Sequence, residues 1–186
     1  MAESRKISEV FIYAIMVEAD DNNDPIQVCD FISNFIQHGS GLSAINKWDS
    51  PTVFYMPLFG SSWYERPFCQ VFGFLTDATL DEFTELVERA KNNAVNKFAL
   101  NNLNISPVIL LKKLEMEWLP KFPNRYRWSL ENLQLACDRA ADAFHLDVDN
   151  PELYSETGGL MLENKEWFKH LPGNIFEPTS FANLGL

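Results

Sequence analysis

Two helical hydrophobic repeats, each set between short apolar runs of strand type, constrain this chain more than any other feature. In the first, Ile26, Cys29, Ile32, Phe35 and Ile36 recur at helical spacing and give one apolar face. Asp24 followed by Pro25 starts it: the carboxylate caps free N–H groups, and proline fits the first helical position. Gly39 stops it. In the second, Phe83, Leu86, Val87, Ala90, Ala94 and Phe98 make the apolar face, and Thr79 and Glu82 have the spacing of a capping box.

The flanking runs read as strands. Val10–Ala19 is β-branched and aromatic. The run TVFYMPLF after Pro51 is a second strand, in which Pro57 marks an edge or a bulge. A third covers Phe68–Leu75, and Pro107 introduces a fourth, VILLKKLEMEWL; NNLNISP before it reads as a helix terminator. The order strand, helix, strand, strand, helix, strand predicts an α+β fold. Its expected form is the ferredoxin-like split βαβ (βαββαβ), two βαβ units sharing one antiparallel sheet. Ser129 then caps an added C-terminal helix with Leu130, Leu133, Ala136, Cys137, Ala140 and Phe144 on one face. The expectation is a single α+β domain over residues 1–146, with an irregular extension over 147–186 packed on it.

At 186 residues the chain is of single-domain length and long enough to bury a core without staples. Its three cysteines, Cys29, Cys69 and Cys137, are odd in number, far apart and set in apolar patterns. They read as buried thiols in a reducing compartment, so a cytoplasmic location is expected. MAESRKISEV lacks the basic start and apolar middle of a secretory signal, and the eight-residue run Val10–Val17 is too short to span a bilayer. No membrane association is expected.

The net charge of −11 is unevenly placed. Residues 1–90 hold five basic and fourteen acidic side chains, residues 91–127 seven and two, and residues 128–186 three and ten. A basic middle thus lies between two acidic parts. Its densest stretch interleaves Trp118, Phe122, Tyr126 and Trp128 with Lys121, Arg125 and Arg127. Two prolines and the absence of a period make it a loop. Arg, Tyr and Trp dominate interface hot spots, and the same mixture stacks and charge-matches single-stranded nucleic acid. Against a functional reading stands the plain one: aromatics that cap a sheet and solvated charges. Asp81, Glu85 and Glu88, at i, i+4 and i+7 of the second helix, form an acidic face that imitates phosphates or meets a basic partner; the macrodipole also favours acids at a helix start.

No motif dictates a reaction. His38-Gly39-Ser40-Gly41 is not a nucleophile elbow and reads better as a helix stop. Asp20, Asp21 and Asp24, or Asp147, Asp149 and Glu152, lack the glycine and terminal glutamate of a calcium loop. His145 and His170 have no partner at zinc-ligand spacing, and Gly158-Gly159 lacks a phosphate-loop setting. Val10–Ile15 loosely resembles the first-strand signature of RNA-recognition motifs. Arg66–Gly73, however, has proline where that signature has glycine and Gln70 where an aromatic stacks.

The sequence therefore predicts a non-catalytic acidic binding protein that occupies or inhibits a macromolecular partner, of the inhibitor, immunity or phage anti-defence kind. The expected contact is Trp118–Trp128, and no metal or cofactor is expected. Single-stranded nucleic-acid binding through residues 118–128 and an enzyme of unrecognised type are the alternatives.

Overall fold

The computed structural model describes residues 9–19, 24–38, 53–60, 68–115, 128 and 130–146. Among them the chain is α+β, with a five-stranded antiparallel sheet and three helices. The sheet is built around β1 (Glu9–Ala19), whose continuous apolar run suits a strand buried on both faces. On one side β1 pairs with β3 (Phe68–Thr76), from Phe11↔Thr76 to Ala19↔Phe68, and β3 in turn pairs with β2 (Val53–Gly60). The other side of β1 is shared. β4 (Leu103–Ile105) takes Val17–Ala19, and β5 (Ile109–Glu115) takes Glu9–Ala14.

The helices join strands that are not neighbours. α1 (Pro25–His38) connects β1 to β2 with β3 lying between them; α2 (Leu80–Phe98) connects β3 to β4 with β1 between. α3 (Leu130–Ala143) follows β5. Alternation along β1 divides the core in two. Val10, Ile12 and Ala14 face α3, together with Leu58, Val71, Leu75 and Leu133. Tyr13, Ile15, Val17 and Ala19 face α1 and α2, together with Ile32, Phe72, Phe74 and Phe83.

One expectation is corrected. The strand expected from Val108 is present as β5, and a further strand, β4, precedes it inside the segment read as a helix terminator. The interruption falls at Ser106-Pro107, because proline has no N–H to give a ladder. Ser106 repairs the gap. Its N–H donates to Met16 O at 2.9 Å, and its hydroxyl accepts the Met16 N–H at 2.8 Å. Further along, the register slips between Ile12 and Tyr13, whose partners are Lys112 and Leu110. Leu111 is the extra residue and is buried on the α3 side. Residues 116–119, expected to continue this strand, lie outside the described residues. Pro57 sits in β2, which is an edge strand, and the register shifts between Pro57 and Phe59.

The helix ends follow local chemistry. Asp24 Oδ1 accepts the Ile26 N–H at 2.9 Å, which starts α1. At α2, Thr79 and Glu82 exchange side-chain and backbone hydrogen bonds of 3.3 and 3.2 Å. α2 closes on Ala99 at φ 51°, with the Leu100 N–H reaching Val95 O at 3.2 Å. α3 closes similarly on His145 at φ 54°, where Leu146 N–H donates to Ala141 O and His145 N–H to Asp142 O. Ser129, the expected cap of α3, lies outside the described residues.

The cap that closes α2 requires a left-handed residue, and Ala99 takes that conformation at φ 51° with a Cβ that disfavours it. Ala99→Gly is expected to raise stability by about 1 kcal/mol, read from the shift in the urea midpoint at constant slope. An unchanged or lower midpoint contradicts the assignment.

Candidate functional site

Of the aromatic and basic residues expected to meet a partner, Trp118, Lys121, Phe122, Arg125, Tyr126 and Arg127 lie outside the described residues. Trp128 does not act as a surface anchor. It is fully buried, with its indole Nε1–H donating to Phe54 O at 2.9 Å. The physical reason is a hollow in the sheet. A Cβ at Gly73 would stand 3.1 Å from Trp128 Cη2 and 3.1 Å from Leu58 Cδ1. The missing side chain lets the ring lie against β3. A glycine inside a strand run is the sequence signal for such an approach. The basic aromatic segment therefore connects two fixed points: Glu115, at the end of the β5 edge, and Trp128, in the core beneath α3.

The acidic face of α2 is present. Asp81, Glu85 and Glu88 are exposed, opposite the buried Phe83, Leu86, Val87, Ala90 and Ala94. Glu85 accepts from Arg89 at 2.7 Å, a surface pair of small energetic weight. A second acidic face was not anticipated. Glu131, Asp138 and Asp142 on α3 are all exposed, on the far side of the sheet from α2. Their spacing of seven and four residues is the same helical period that revealed the first.

The basic middle of the sequence does not collect into one described surface. Lys97 stands 4.7 Å from the Phe31 ring centre and 5.5 Å from that of Phe98, joining α1 to α2 through its charge. Lys112 and Lys113 lie on the β5 edge, and Lys113 Nζ meets Glu9 Oε1 at 2.9 Å. Lysines on an edge strand discourage pairing with other chains.

The described residues assemble no recognisable reactive group. Burial first, and neighbouring carboxylates second, push the thiols of Cys29 and Cys137 up to about 12 and that of Cys69 to about 11. Such thiols stay protonated and are poor nucleophiles. Ser33 Oγ donates to Asp30 O at 3.1 Å, and the Tyr55 N–H donates to Gln37 Oε1 at 3.3 Å, which ties α1 to β2. Burial, then the nearby Asp24, raises the Asp30 carboxyl. His145 borders a shallow open hollow with Asp138 and Asp142. Among the described residues no group of three His, Cys, Asp or Glu side chains is placed to hold a metal ion. Asp20, Asp21, Gly39, Ser40, Gly41, Asp147, Asp149, Glu152, Gly158, Gly159 and His170 lie outside the described residues.

Sheet-face RNA binding fails on geometry. The face of β1 and β3 turned away from α1 and α2 is filled by α3 and Trp128, leaving Val10, Ile12, Ala14, Val71 and Leu75 no more than 1 % exposed. Among the described residues no helix is long and apolar enough to cross a membrane. The chain matches no protein-family model, and no curated protein matches it in sequence.

Burial, aided by Glu82, raises the Tyr13 hydroxyl from 10.0 to about 12; it donates to Ala78 O at 2.9 Å. Tyr13, Cys29 and Cys137 keep their protons when folded and release them at lower pH when unfolded, from ordinary values of 10.0, 9.0 and 9.0. Between pH 9 and about 12 the unfolded chain binds fewer protons, so stability must fall as pH rises through that window. Urea midpoints measured across this range should drop progressively. Replacing Cys29 and Cys137 by Ala should flatten the slope, and a constant wild-type midpoint would contradict the burial assignments.

Proposed function

We propose that this chain is a non-catalytic binding protein that occupies a basic macromolecular partner, in the manner of an inhibitor, immunity or anti-defence protein. The observation that carries this reading is the exposed acidic face on each helical layer: Asp81, Glu85 and Glu88 on α2, and Glu131, Asp138 and Asp142 on α3. Like charge on both outer surfaces, within a net charge of −11, gives a field that draws in a positive partner from either side. Lys121, Phe122, Arg125, Tyr126 and Arg127, with Trp118, supply the short-range contact in this proposal, held between β5 and the buried Trp128. Trp128 itself serves as the anchor of that segment and makes no contact with the partner.

The scaffold under this reading is a ferredoxin-like split βαβ fold whose last strand is broken at Ser106–Val108. The placement of β3 between β1 and β2, and of β1 between β3 and the β4–β5 edge, supports it. The protein partner and a cytoplasmic setting belong to the same proposal. Three cysteines that remain thiols favour a reducing compartment.

The test is affinity capture from the native host, identification of the retained protein by mass, and kinetics with that protein purified. The triple variant Asp81→Asn, Glu85→Gln, Glu88→Gln should slow association by roughly tenfold at low salt and little at high salt. Arg125→Ala with Tyr126→Ala should speed dissociation. Association and dissociation unchanged in both variants would overturn the proposal. Binding of single strands that weakens steeply with salt, and disappears in the Arg125–Tyr126 variant, would replace the protein partner by nucleic acid.

A further inference from the structure

We propose that α3, together with Trp128, is a cover that undocks from the sheet as one unit while the sheet and the α1–α2 layer stay folded. Three independent features support it. The first is connectivity. α1 and α2 each join two strands, so neither can leave without pulling on strands on both sides; α3 follows β5, and no described strand comes after it. Its departure breaks no ladder among the described strands.

The second feature is the size of the side chains that hold each layer. Among its described side chains α3 fully buries one large residue, Leu133, with Ala136, Cys137, Ala140 and Ala141, while Phe144 and Leu146 just beyond it pack partly buried. The opposite layer buries Val28, Ile32, Ile36, Phe83, Leu86 and Val87. Apolar area removed from water scales with side-chain size, so α3 by itself is held more weakly per turn, and the cover relies on Trp128 for its largest apolar contact. The third is the nature of its ties. Trp128 and Arg139 reach across to the carbonyls of Phe54 and Leu111, one on β2 and one on β5. These side-chain hydrogen bonds are replaceable by water when the cover lifts. Local openings of this kind are drawn from elements with little buried apolar area and peripheral connectivity. Opening would uncover Val10, Ile12, Ala14, Leu58, Val71 and Leu75, an apolar sheet face that no other described element covers.

Two buried thiols make this measurable in the intact chain. Cys137 is 3 % exposed beneath α3, and Cys29 is 1 % exposed beneath α1, on opposite faces of the sheet. Both can be alkylated with N-ethylmaleimide under native conditions and mapped by peptide mass, each rate referred to the fully unfolded chain. Cys137 is expected to react more than about tenfold faster than Cys29, with a weaker dependence on urea because less surface is exposed on opening. Trp128→Phe should accelerate Cys137 and leave Cys29 unchanged. Arg139→Ala, at an exposed position, should do the same and decides the matter if the Trp128 variant fails to fold. Equal rates with equal urea dependence, or a faster Cys29, would overturn the proposal, as would an Arg139→Ala variant in which Cys137 is not accelerated.

Discussion

The indole of Trp128 lies against the glycine of β3, and the α3 half of the molecule depends on that contact. Gly73 leaves a recess that Leu58 and the indole fill together, and the ring's N–H finds the Phe54 carbonyl. A buried tryptophan without such an acceptor would carry the cost of an unpaired donor. With it, the indole contributes the largest side chain on a face where α3 offers mostly alanines. It also fixes the chain at the C-terminal end of the basic aromatic segment.

β1 sets the frame around this contact. Its two edges are taken by β3 and by the divided β4–β5 strand, and its alternating side chains define both halves of the core. Ser106 keeps the division harmless by supplying both hydrogen bonds that Met16 would otherwise lose at the proline. The outer faces of α2 and α3 are then free to carry charge, because their inner faces meet the apolar demand. Acidic side chains on both sides of a packed sheet suit long-range attraction, and attraction alone gives little specificity. In the proposed account, specificity falls to the segment that Trp128 anchors.

Much of the fold was legible in the sequence. Asp24-Pro25 and the Thr79–Glu82 pair announced helix starts because capping chemistry is local. Pro57 announced an edge and a register shift because a residue without an N–H has few places in a sheet. β4 was not legible: three residues give too little period, and their strand character comes from pairing with Val17–Ala19. Trp128 was misplaced for a related reason. Its neighbours Arg125, Tyr126 and Arg127 suggested a surface, and only the distant Gly73 reveals that the ring turns inward. The acidic face of α2 was legible from helical spacing, and Glu131, Asp138 and Asp142 carry the same period on α3.

The dependence of the α3 side on one aromatic contact is most directly tested by a double-mutant cycle on Gly73 and Trp128. With Trp128 present, the methyl of Gly73→Ala presses at 3.1 Å on two fully buried side chains, which must shift by a few tenths of an ångström, and the expected cost is about 1–3 kcal/mol. In a Trp128→Phe background one of the two atoms nearest that methyl is gone while Leu58 Cδ1 stays, so the cost of Gly73→Ala should shrink by at least about 0.5 kcal/mol. An equal cost in both backgrounds, measured by urea unfolding, would contradict the account and place the anchor of α3 elsewhere.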